Sequence, residues 1–120
     1  MTGLESLMER GISTRPAGGT WVVRAGGAII AETSNAIELI ESGLSPVIYF
    51  PRDDVAMAFL DQTDQATRCA FKGNATYYAI HTKSKVLDNA AWSYETPLDN
   101  AADIAGHIAF YQSMVTVERV

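Results

Sequence analysis

Apolar positions in this chain come in short runs, broken at close intervals by glycine, proline and acidic residues. Trp21-Val22-Val23-Arg24 and Ala28-Ile29-Ile30-Ala31 flank Ala25-Gly26-Gly27, which predicts a β-hairpin around a double glycine. Residues 37–41 fit either a helical turn capped by Asn35 or a strand; the turn residues from Gly43 to Pro46 favour the strand. Val47-Ile48-Tyr49-Phe50 is the clearest strand, and Pro51 stops it. Asp53 or Asp54 can accept bonds from free amides and start a short helix over residues 55–60. Residues 61–68 are polar and read as a loop. Residues 77–81 and 85–87 read as a second hairpin, and residues 90–94 as a separate strand before Pro97. Asp99 caps a turn of helix through Ile104 that ends near Gly106, and residues 108–111 and 115–120 form a closing strand pair. Many short strands, with no internal repeat or low-complexity tract, predict a mostly-β domain with one or two short helices.

Residues 1–19 read as an N-terminal arm set apart from a single domain over residues 20–120. Leu4, Leu7 and Met8 fit one face of a short helix that Gly11 ends, and Ser13, Thr14, Pro16, Gly18 and Gly19 mark a turn-rich connection. The arm is either a docking element or a frayed end. At 120 residues and 48% hydrophobic content the chain has the size and composition of one domain with a substantial core.

Nine basic against fourteen acidic residues give a net charge of -5, which disfavours a nucleic-acid groove, since phosphates demand a concentrated basic face. No apolar run approaches the roughly 20 residues that span a bilayer, and the N-terminus carries Glu5 and Glu9 in place of a basic leader. One cysteine forms no intramolecular disulfide. These features predict a soluble cytoplasmic protein without a membrane or nucleic-acid partner; the oligomeric state is left open.

Lys72-Gly73 is the leading candidate for ligand contact. Glycine permits a positive backbone dihedral or a close approach, successive turn amides cradle anions, and lysine adds charge; an ordinary surface turn is the competing reading. The pair lacks a P-loop's following serine or threonine, and strand-like residues come next. Arg52 either holds a carboxylate or phosphate through its planar guanidinium, or pairs locally with Asp53 and Asp54. Cys69 is either packing or a nucleophile, the latter requiring a cation such as Arg68 or Lys72 to stabilise the thiolate. His81, His107 and Cys69 cannot supply four nitrogen or sulfur ligands to a structural zinc ion, and no serine sits in a nucleophile elbow. No cofactor is expected. Tyr49, Phe50, Tyr77, Tyr78, Trp92, Tyr94, Phe110 and Tyr111 fill a core or line a pocket. Because neighbours in a strand face opposite sides, Tyr77/Tyr78 and Phe110/Tyr111 cannot all lie in a one-sided core.

Four ordered motifs carry a family resemblance: Tyr49-Phe50-Pro51-Arg52-Asp53-Asp54-Val55; Cys69-Ala70-Phe71-Lys72-Gly73-Asn74-Ala75-Thr76-Tyr77-Tyr78; Ala90-Ala91-Trp92-Ser93-Tyr94; and Ile108-Ala109-Phe110-Tyr111. Together they resemble the family named domain of unknown function 427, over about residues 20–120. Ala70 and Tyr78 stand where that family usually has proline and tryptophan. The resemblance implies a compact β-tent-like domain of two antiparallel sheets meeting at an angle. Zinc, which β-tent relatives hold on paired cysteines, is not implied here, because this chain has no such pairs. The family's nucleotidyltransferase-like label points to Asp53, Asp54 and Lys72, and cysteine-dependent sulfoxide reductases of the same fold point to Cys69.

The combined expectation is a domain binding a small molecule, anionic or phosphate-bearing among the options. Its pocket would be built from Arg52, Lys72, Gly73, Tyr77, Trp92 and Tyr94. The alternatives are an enzyme, nucleotidyl-transferring or thiol-dependent through Cys69, and a protein-interaction module presenting an exposed aromatic patch.

Overall fold

The computed structural model describes residues 11–120; the helix expected around Leu4, Leu7 and Met8 lies outside them. Ten strands follow in chain order: β1 (Ile12–Pro16), β2 (Trp21–Ala25), β3 (Ala28–Thr33), β4 (Ile37–Glu41), β5 (Val47–Tyr49), β6 (Leu60–Cys69), β7 (Gly73–His81), β8 (Val86–Ser93), β9 (Ile108–Phe110) and β10 (Thr116–Arg119). Short 3-10 turns occupy Arg52–Asp54, Met57–Phe59 and Asp99–Ile104. The mostly-β expectation is met, with antiparallel sheets ordered β1-β4-β5, β10-β2-β3 and β6-β7-β8-β9.

Two of these sheets join edge to edge. Phe50 and Ile108 exchange backbone hydrogen bonds of 2.8 and 2.9 Å, so β5 continues onto β9. The joined strands form one long layer, and β10-β2-β3 forms a second.

Strand alternation then divides the side chains between two cores. Ile48, Phe50, Tyr78, Ile80, Ala91, Ile108 and Phe110 pack with Val23 and Ile30 of the smaller sheet. Tyr49, Tyr77, Ala109 and Tyr94 point to the other face, where Leu39, Ala101 and Ile104 complete a second core. The adjacent aromatics therefore split as the two-residue period requires, Tyr77 to one core and Tyr78 to the other.

Gly26 and Gly27 turn the β2/β3 hairpin with φ of 55° and 84°, the pair of positive values that a tight turn between twisted strands demands.

Several elements differ from expectation. Residues 13–16, expected in the turn-rich connection, lie in β1, which pairs with β4 and is tied to the last 3-10 turn by Thr14 donating to Asp103 at 2.7 Å. Residues 61–68, expected as a loop, belong to β6. This strand lies at the sheet edge with most side chains in solvent, so its regularity comes from backbone pairing with β7 and no buried face leaves an apolar alternation. The strands expected at residues 85–87 and 90–94 are largely one, β8, carried past its irregularity by Asn89 at φ 53°. Asparagine adopts that left-handed conformation more readily than most residues.

The helix expected over residues 55–60 is replaced by the two 3-10 turns around Val55, neither with a side-chain cap. Asp54 instead accepts the Thr33 hydroxyl at 2.7 Å. Asp99 lies in the first turn of its 3-10 segment and does not cap it. Finally, β9 pairs with β8 and β10 with β2, not with each other, because the turn closed by Met114 and Val115 amides on the Tyr111 carbonyl sends the chain to the other sheet.

Candidate functional site

On the second-core face, a cavity of about 180 Å³ opens between β4, β5, the β6–β7 turn and β8. Tyr49, Tyr77, Trp92, Tyr94 and Tyr111 provide its aromatic walls, and Leu39, Leu44 and Val47 its aliphatic ones. Glu41 and Lys72 supply the charges.

Each side chain arrives by a simple route. Tyr77 and Trp92 are register partners on β7 and β8, and Tyr94 follows two residues beyond Trp92 on the same face. Lys72 ends the turn from β6, closed by its amide on the Cys69 carbonyl at 3.3 Å. The Lys72 carbonyl accepts the Leu98 amide at 3.0 Å, which anchors that turn to the chain after Pro97.

Lys72 does not offer a free charge. Its Nζ lies 2.7 Å from Glu41 Oε1, with side chains only 13% and 10% exposed. The pair is a nearly buried dipole in the cavity wall.

The phenols are held mostly by one another and by their neighbours. Trp92 Nε1 donates to the Tyr49 hydroxyl at 3.2 Å, with the two rings edge to face at 6.3 Å. Tyr77 and Thr67 hydroxyls are 2.9 Å apart. Tyr111 lies over Trp92 with ring centres 4.5 Å apart. The Tyr94 ring is buried, and its hydroxyl, which has no hydrogen-bond partner among the described residues, stays accessible at the cavity.

Burial pushes the Tyr49 phenol well above its ordinary pKa, outweighing the bond from Trp92. Burial does the same to Tyr94, reinforced by nearby acidic groups that include Tyr49 and Cys69. Tyr111 is pushed up to about 12 by burial and by its contact with Tyr77. These three tyrosines are held as neutral hydroxyls.

Arg52 belongs to the opposite face. It projects from the first 3-10 turn, donates from Nε to the Gly106 carbonyl at 3.0 Å, and pairs through Nη2 with Glu95 at 2.5 Å. Its guanidinium also sits 5.9 Å from the ring centre of Tyr78, whose hydroxyl lies 3.3 Å from Glu95. Burial works against the Glu95 carboxylate, but the bonds from buried Ser93 and from Arg52 and Tyr78 hold its pKa below the usual carboxylate range. Burial likewise works against the Arg52 charge, and Tyr78 and Glu95 more than offset it. Arg52 thus pairs with Glu95 rather than with Asp53 or Asp54.

The six residues expected to build one pocket therefore divide. Lys72, Tyr77, Trp92 and Tyr94 come together; Arg52 does not join them, since it contacts Tyr78 on the other side of β7. Gly73 neighbours the cavity in sequence only: it pairs with Cys69 in the β6/β7 ladder, and its φ of 107° serves the turn. Cys69 packs against the second core and does not line the cavity, while the cation nearest in sequence that faces this core, Lys72, is taken by Glu41. Asp53, Asp54 and Lys72 are not assembled either: Asp53 lines the Arg52 face, and Asp54 is bonded to Thr33. Glu41 escaped sequence reasoning because its partner lies 31 residues away and a terminal strand glutamate looks solvated.

A family profile described as "Domain of unknown function (DUF427)" matches residues 13–120. The chain belongs to the DUF427 family. The match starts inside β1 and runs through the last strand, so it takes in both the cavity and the Arg52 cluster. No curated protein matches the chain. Within this DUF427 domain, no helix of the described residues is long and apolar enough to cross a membrane.

Proposed function

We propose that the domain binds a small, uncharged aromatic molecule in the tyrosine-lined cavity. The observation that carries this reading is the Tyr94 hydroxyl, which opens on the cavity and has no hydrogen-bond partner among the described residues. A ligand hydroxyl that meets it adds a hydrogen bond worth about 1 kcal/mol net.

Size and charge narrow the class. A cavity of about 150 Å³ accepts a benzene ring, so about 180 Å³ suits one ring with a small substituent. The edges and faces of Trp92, Tyr49 and Tyr111 provide the offset and perpendicular contacts that rings favour. Glu41 cancels the charge of Lys72, so an anion would meet a carboxylate beside the ammonium. That placement favours a neutral ligand over the anionic or phosphate-bearing one suggested by Lys72-Gly73 alone. The burial of most of the aromatic set also favours a pocket over a flat interaction surface.

Phenol is the simplest probe. In a Trp21→Phe background, the fluorescence of Trp92 should change saturably with phenol and not with inorganic phosphate. Tyr94→Phe should weaken phenol roughly five- to tenfold, the effect of one lost hydrogen bond of about 1 kcal/mol. A saturable response to phosphate with none to phenol would reverse the reading.

A further inference from the structure

A second cavity of about 300 Å³ adjoins the first and shares Ser45, Val47, Trp92 and Tyr111 with it. Beyond those shared walls its lining is chiefly apolar: Pro46, Ile48, Phe110 and Val117, with Gln112 the further polar contributor. The two spaces differ in chemistry. The first holds the phenols and the Lys72–Glu41 pair, whereas the second has no charged side chain in its lining. The Trp92 and Tyr111 rings, in contact and tilted 44° to each other, border both, and Tyr111 is partly solvent-exposed, so its ring can shift without disturbing buried packing.

We infer that the ligand has two parts: a hydroxylated ring in the first cavity and a short alkyl chain that passes the Trp92–Tyr111 ring pair into the second. The inference rests on the proposed aromatic ligand and adds its tail. A tail gains from the second cavity because each methylene moved from water onto apolar walls is worth roughly fourfold in affinity. Val117 then discriminates ligands by length, since its side chain on β10 faces the space that the tail fills.

The test compares phenol with 4-butylphenol on the folded full chain carrying Trp21→Phe, read by Trp92 fluorescence and checked by calorimetry. The expected result is saturable binding of both, with 4-butylphenol at least roughly tenfold tighter. Val117→Phe, which narrows the second cavity, should erase most of that advantage while leaving phenol within about twofold, roughly half of one methylene's worth of burial. If phenol binds and 4-butylphenol gains nothing, or its advantage survives Val117→Phe, the two-part ligand is overturned and the ring site stands. If neither compound binds, the ring site itself falls and the tail with it. Should Val117→Phe fail to fold, Val117→Leu with 4-propylphenol and 4-butylphenol makes the same comparison, the longer chain losing more.

Discussion

Glu41 shows how a single side chain changes the character of the cavity. Without it, Lys72 would be a cation in an aromatic pocket and a natural anion receptor; with it, the wall is a closed ion pair. Glu41→Gln should leave the nearly buried ammonium without its counter-charge and destabilise the fold by about 3–5 kcal/mol. Urea unfolding would measure this, and Glu41→Leu combined with Lys72→Met should recover most of the loss. A second residue-scale consequence concerns pH. The fold holds the Tyr111 proton more tightly than the unfolded chain does, with a pKa of about 12 against an ordinary 10.0. Its contribution is therefore complete below pH 10 and is lost as pH rises toward 12, and Tyr49 and Tyr94 act in the same direction. Ultraviolet titration should show these tyrosines ionising late, together with loss of structure, while Tyr94→Phe removes one of the late groups. Three tyrosinates appearing near pH 10 in a folded protein would contradict the burial described.

At the level of elements, the β6–β7 turn separates a backbone role from a ligand role. Gly73 has a φ of 107°, which side-chain-bearing residues avoid, and an added Cβ would meet the Thr96 carbonyl at an ordinary 3.5 Å. Gly73→Ala should therefore cost roughly 1–2 kcal/mol through backbone strain and leave phenol affinity nearly unchanged. Loss of binding in a folded Gly73→Ala protein would instead return the turn amides to the site. The elements legible in the sequence were those with an apolar signature: the Gly26-Gly27 hairpin, β4, β5 and the β7/β8 hairpin. Those missed lacked one. β1 is half exposed and rich in turn-forming residues, and β6 is a solvated edge. The final two strands were found, but pairing them with each other assumed that neighbours in sequence are neighbours in the sheet. The turn after Tyr111 breaks that assumption.

Across the whole molecule, the long layer has two faces with different chemistry. One packs on the smaller sheet and carries Arg52, Glu95, Ser93 and Tyr78; the other carries Tyr49, Tyr77, Tyr94, Trp92 and the Lys72–Glu41 pair. The family and its four motifs were readable because they are local in sequence. Which motif residues meet was not, because Tyr77 and Tyr78 are adjacent in the chain and belong to opposite faces. Arg52 and Lys72, the two cations of the first two motifs, follow that division. The most direct measurement is backbone amide chemical-shift mapping during a phenol titration of the full chain. Saturable shifts should concentrate at Leu39, Glu41, Lys72, Trp92, Tyr94 and Tyr111, with Arg52, Gly106 and His107 still. Shifts centred on Arg52 and His107, or no saturable shifts at all, would contradict the account.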